Sequence, residues 1–123
     1  MSQYQFFGDG SSPSPPQGFI WSEETTDFDA EVGHGYFCNA ALTVTLPDTA
    51  GLALGDTIII YVDTSGQVVI QANTGQMIQV GSEISGVGGT SSSNAQGSIL
   101  ELIFKPSDST WHTQSSLGSW TTV

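Results

Sequence analysis

Basic residues are nearly absent from this chain. There is no arginine, and Lys105 is the single lysine among 123 residues. Twelve Asp and Glu leave a formal net charge of -11. Phosphate backbones are bound by Lys and Arg, so a nucleic-acid surface is excluded. Attraction to an anionic membrane face is excluded for the same reason. The acidic field keeps copies of the chain soluble and mutually repelling. Cys38 is the only cysteine, so no disulfide can close within the chain. A reactive thiol needs cationic neighbours that this sequence lacks, and Cys38 therefore reads as a small buried apolar group. No stretch approaches the roughly 20 apolar residues that span a bilayer. Met1 to Phe7 shows neither the basic nor the apolar region of an export signal. Only 11% of residues are charged, which leaves the surface to Ser, Thr, Gln, Asn and Gly. That texture suits a protein working outside the cytosol or in a particle shell.

What the chain does have is short β-type runs. Leu42-Thr43-Val44-Thr45-Leu46 alternates apolar and polar residues at the strand period. Thr57 to Val62, Val68 to Gln71, Met77 to Val80, Ile99 to Phe104 and Thr110 to Ser115 continue the series. No helical period runs beyond about two turns. Pro47 closes the first run at a position tolerated at strand ends. Asp63-Thr64-Ser65-Gly66, Asn73-Thr74-Gly75 and Lys105 to Ser109 read as hairpin turns, and Gly86 to Asn94 as a long flexible loop. The expected fold is all-β, a compact antiparallel β-sandwich or barrel-like domain. One domain of this length buries about two-thirds of the surface its unfolded chain exposes, enough for a core without staples.

Three zones are expected. Residues 1–18 form an extended arm in which Pro13, Pro15 and Pro16 exclude helix and ladder alike. Residues 19–41 are an acidic lead-in holding Glu23, Glu24, Asp27, Asp29 and Glu31. Residues 42–123 are the β module. Tyr4, Phe6, Phe7, Phe19 and Trp21 are the aromatic anchors with which the arm would dock on a neighbour, because Tyr, Phe and Trp suit interface hot spots. Within the module, Ile59 and Tyr61 lie opposite Ile58, Ile60 and Val62 on their strand, and Ile99 and Ile103 lie opposite Leu100, Leu102 and Phe104. Strands apolar on both faces must be covered on both. With no helices available, Ile59, Tyr61, Ile99 and Ile103 are expected to meet another sheet or another copy, which predicts a homo-oligomer.

Groups able to do chemistry are few. The acidic lead-in with His34 could hold Ca²⁺ through oxygen ligands, but it lacks the order of an EF-hand loop and reads as a solvated segment. His34 and His112 are far apart, and no serine sits in a G-x-S-x-G motif. Gly86-Val87-Gly88-Gly89 has no following lysine or helix and is no phosphate cradle. The expectation is no catalytic residue, no metal, no cofactor and no enzymatic activity. Trp111 and Trp120 are a possible ligand surface, since exposed aromatics stack on sugar rings.

A wider pattern joins these features. It comprises Leu46-Pro47, Gly55-Asp56-Thr57-Ile58, Ile70 through Asn73-Thr74-Gly75-Gln76-Met77-Ile78, the Gly86–Ser93 stretch, Leu100-Glu101-Leu102, and Thr110-Trp111 through Gly118. In this the chain resembles a module of bacteriophage tail-fibre and other virion structural proteins, notably of phages of cyanobacteria and other aquatic bacteria. The resemblance implies a homotrimeric β-rich virion component, assembled in the host cytoplasm, and transfers no catalytic motif. With a short arm and no long shaft, the implied part is a capsid decoration (cement) protein or short fibre. Its arm would anchor it to another virion protein, such as a major capsid or a tail or baseplate protein. The alternative implied role is a tail-fibre tip recognising a host surface glycan.

Overall fold

The structure, a computed structural model, describes residues 18–123. Apolar–polar alternation gives each main strand one inward row, as in Thr57–Val62, where Ile58, Ile60 and Val62 are buried and Thr57, Ile59 and Tyr61 half-buried. Twelve strands are found among the described residues, numbered here in chain order. A seven-stranded sheet holds β1 (Ile20–Glu24), β3 (His34–Cys38), β5 (Thr57–Val62), β7 (Met77–Val80), β8 (Glu83–Ile84), β10 (Ile99–Lys105) and β11 (Thr110–Leu117). Its order is β1-β3-β5-β10-β11-β7-β8. A five-stranded sheet holds β2 (Phe28–Asp29), β4 (Leu42–Thr45), β6 (Val68–Gln71), β9 (Thr90–Ser93) and β12 (Thr121–Thr122) in the order β12-β9-β6-β4-β2.

The fold is all-β, as expected, but the sheets are mixed rather than antiparallel. From β1 to β6 the chain changes sheet at every step. The odd strands β1, β3 and β5 ladder in parallel in one sheet. The even strands β2, β4 and β6 ladder in parallel in the other. The turns at 63–66 and 73–75 are therefore not hairpin turns. They carry the chain from β5 across to β6, and from β6 back to β7. Gly, Asp, Asn and Ser mark where a chain turns, not which sheet receives the next strand. The β10–β11 connection is a hairpin, through a 3-10 turn at Pro106–Asp108. Residues 90–93 of the expected loop form β9, bonded to β6 and β12. Ser91 and Ser93 point into the interior, where their hydroxyls meet those of Thr122 and Ser98, both at 3.0 Å. Serine lacks the apolar alternation that announces a strand, so hydrogen bonding carries what periodicity does not show. The acidic lead-in contributes β1, β2 and β3, laddered onto the strands of the β module.

One apolar cluster lies between the sheets. Tyr36, Cys38, Ile58, Ile60, Val62, Leu100, Leu102, Phe104, Ile78 and Trp111 come from the larger sheet, and Leu42, Val44, Val68 and Ile70 from the smaller. Burying each aliphatic side chain contributes about 1.5–3 kcal/mol. Gln76 is fully buried within this layer. Its Oε1 accepts from Trp111 Nε1 and from the Asn73 N–H, both at 3.0 Å. Its Nε2 donates to the Pro47 carbonyl (2.7 Å) and Thr49 Oγ1 (3.1 Å). All of its polar capacity toward the core is used, so the amide fastens the 73–76 turn to the 47–49 loop without an unsatisfied group.

Candidate functional site

The outer face of the seven-stranded sheet is built by the residues that alternation turns away from the core. Pairing registers align them in rows. One row runs Trp21, Gly35, Ile59, Glu101, Ser115, and the next runs Glu23, Phe37, Tyr61, Ile99, Leu117. The Trp21 ring lies flat on the backbone of Gly35. A Cβ at that position would come within 2.6 Å of the indole. From there Trp21 meets Phe37 at 5.2 Å between ring centroids, and Phe37 meets Tyr61 at 4.8 Å, both tilted. Such tilted pairs stabilise beyond area burial alone, by about 0.5–1.5 kcal/mol each. The aromatic row continues into Ile99 and Leu117. Trp21 and Leu117 remain 46% and 62% exposed. Two carboxylates border the apolar ground. Glu23 accepts from Asn39 Nδ2 at 2.6 Å, and Glu101 from Ser115 Oγ at 3.0 Å.

Ile59, Tyr61, Ile99 and Ile103, expected at an oligomer interface, share this face. Ile103 sits one row further along, paired with Thr57 and His112. Trp21, expected as an arm anchor, belongs to the same face. Phe19 is half-buried just before β1. Tyr4, Phe6 and Phe7 lie outside the described residues. Trp111 offers no surface to a ligand. It is wholly buried against Phe104 (5.0 Å between centroids), with its N–H committed to Gln76. Trp111 shares the inward parity of Phe104, its cross-strand partner, and this overrides the polar residues around it in sequence. Trp120 packs half-buried on the core edge and donates to the Leu117 carbonyl at 3.1 Å. Trp111 and Trp120 therefore form no joint exposed platform. Phe37, Leu117 and Gly35 complete the outer face and were not singled out in the sequence. Period-two parity through His34–Cys38 identifies Gly35 and Phe37, whereas Leu117 faces outward because a β-bulge opposite Glu101 and Leu102 shifts the register, which alternation counted from Trp111 does not reveal.

The acidic residues are distributed over both sheets. Glu23 and Glu24 are on β1, Asp29 is on β2, and Asp27 lies between them. Asp27 Oδ1 accepts the Thr43 N–H at 2.8 Å beside an open hollow of about 200 Å³ lined by Asp27, Phe28, Asp29, Thr43 and Thr45. Among the described residues no group of three or more His, Cys, Asp or Glu is placed to hold a metal ion.

The perturbed groups lie off the outer face or at its rim. Burial, with a smaller contribution from Glu24, pushes the Cys38 thiol up to about 12. Burial likewise raises Tyr36, whose hydroxyl accepts the Glu31 N–H at 2.8 Å. Asp108 is pulled upward by partial loss of hydration. The His112 hydrogen bond (3.0 Å), the charges of His112 and Lys105, and the Thr110 N–H outweigh this and hold it below the ordinary carboxylate value.

No protein-family model matches this chain, and no curated protein matches it. The face is thus read from its own chemistry. It is a row of half-exposed aromatic and aliphatic side chains on a rigid sheet, suited to burial against another surface. Apolar patches rimmed by polar groups mark such contact sites.

Proposed function

We propose that this chain is a non-enzymatic structural subunit of a bacteriophage virion, a homotrimeric capsid decoration or short fibre component. In this reading the outer face of the seven-stranded sheet is the assembly surface, and the N-terminal arm ties each copy into the particle. The observation that carries the assembly part is the continuous apolar patch formed by the row Phe37, Tyr61, Ile99 and Leu117 with Trp21 and Ile59 of the adjacent row packed beside it. The virion part rests on the sequence resemblance. Light scattering of the purified chain tests the first part. A mass three times the 12.9 kDa chain is expected, and a stable monomer would sink the assembly model. Mass spectrometry of gradient-purified phage particles tests the second, with peptides of this chain expected among the particle proteins.

A second reading has one observation behind it. Half-exposed Trp21, Phe37 and Tyr61 lie beside the carboxylates Glu23 and Glu101, a combination that also suits a sugar ring and its hydroxyls. Under that reading the chain is a receptor-binding tip. Glycan-array binding lost on Trp21→Ala, with the mass unchanged, would favour it over the first.

A further inference from the structure

The outer face needs an occupant, and its charge narrows the choice. Two copies meeting face to face would set Glu23 and Glu101 against their own kind. The chain has no arginine and one lysine to compensate, and unpaired carboxylates are costly to bury. Residues 1–17 are chemically different. They hold Tyr4, Phe6 and Phe7 and a single side chain charged at neutral pH, Asp9. Gln3 and Gln5 alternate with Tyr4 and Phe6 and supply amide donors that carboxylates accept. A neutral aromatic segment fits an apolar face bordered by acids better than a second acidic face does.

Where that segment joins the fold also matters. Gly18 leads into β1, which is the rim strand of the same sheet. The Ile20 N–H and the Glu24 carbonyl are both used toward the β3 side, so among the described residues no strand pairs with the other edge of β1. Eleven residue steps separate Phe7 from Gly18, with three prolines between them. At about 3.1 Å per residue, extended proline-rich backbone carries Phe7 as far as about 34 Å. Strand spacing of about 4.8 Å makes the whole face from β1 to β11 only about 19 Å wide. That reach exceeds the width of the face, so it is long enough to extend to a second copy.

We propose that residues 1–17 of one copy cover the Trp21–Phe37–Tyr61–Ile99 face of a second copy, with Tyr4, Phe6 and Phe7 as the inserted side chains. The contact is head-to-tail, and such contacts close into rings when the rotation allows. This rests on the assembly reading above and names the partner of that face.

The test uses the full chain. Tyr4→Ser, Phe6→Ser and Phe7→Ser together should lower the solution mass three-fold, to that of a single chain. Phe6→Leu with Phe7→Leu should leave the mass unchanged. A photo-reactive benzoyl-phenylalanine at position 6, in a co-refolded mixture of isotopically heavy and light chains, should give heavy–light cross-links to peptides containing Trp21, Phe37 or Tyr61. Cross-links confined to chains of one isotope would mean that each segment covers its own face, and would overturn the proposal. A triple-serine variant that keeps its three-fold mass but no longer joins phage particles would also overturn it, while leaving the virion reading intact. An unmodified chain that is already monomeric would fail the assembly reading itself.

Discussion

The two sheets share one core and the same period-two alternation, yet their outer faces differ. Outward positions of the five-stranded sheet hold Asp29, Thr43, Thr45, Gln71, Thr90, Ser92 and Thr121, with Val69 the aliphatic exception. Outward positions of the seven-stranded sheet include Trp21, Phe37, Ile59, Tyr61, Ile99 and Leu117, beside the polar Glu23, Glu101 and Ser115. A hydroxyl-rich face is content in water. An aromatic and aliphatic face loses free energy for every square ångström left wet, about 25 cal/mol. The backbone treats both sides alike, so this asymmetry is set by side-chain chemistry alone.

The comparison assumes that both faces ride on one core, and breaking the core should destroy both together. Trp111→Ala should cost about 3–5 kcal/mol, read by denaturant titration, because it opens a cavity and removes a partner of Gln76. Unfolding should stay a single transition; loss of one sheet before the other would contradict a shared core. Gly35→Ala sharpens the contrast on one side only. Its methyl would displace the Trp21 ring, with an overpacking cost of about 1–3 kcal/mol. Tryptophan fluorescence should shift while the interior stays packed. Replacing Ile59 and Ile99 by Thr gives the larger sheet the chemistry of the smaller. At half-exposed positions the chain's own stability should change by under about 1 kcal/mol, while under the proposed assembly light scattering should report monomer in place of trimer.

Periodicity reveals which side chains of a strand point together, and that much was legible. The inward rows of Leu42–Thr45, Thr57–Val62 and Ile99–Lys105 follow directly from alternation, as does the second apolar row at Ile59, Tyr61, Ile99 and Ile103. Sheet membership was not legible, because a strand entering either sheet needs the same pattern. The interleaving of β1 to β6 was hidden for that reason. β9 was hidden because its inward residues are serines, β1 and β2 because acidic residues at the sheet rims mask short ladders, and β3 because His34 and Gly35 interrupt its apolar run. Trp111 looked available for stacking because its neighbours in sequence are polar, while its neighbours in space are Phe104 and Gln76.

The smallest effects are pH effects, and they run in opposite directions. The Cys38 thiol is raised to about 12 in the fold, whereas a free thiol titrates near 8.5. Below the free value its contribution to stability is fully present, and it is lost as pH rises toward about 12. Alkylation of the native chain at mildly alkaline pH should be negligible and should go to completion in denaturant. Asp108 is lowered in the fold, so its contribution is present above the ordinary carboxylate value and is lost as pH falls through its lowered one. Because Asp108 is exposed and screened, Asp108→Asn should flatten the acid limb of a stability–pH profile only slightly.

The alternation of β1 to β6 between the two sheets also governs time. Each parallel ladder joins strands separated by a visit to the opposite layer, so neither layer can be completed ahead of the other. Contacts of this kind are distant along the chain, and their closure makes folding slow. The reverse path has the same obstacle, since releasing an interior strand means withdrawing the segments that cross to the other layer. Longevity in such a molecule is set by the height of the barrier to leaving the native state rather than by the depth of its well alone.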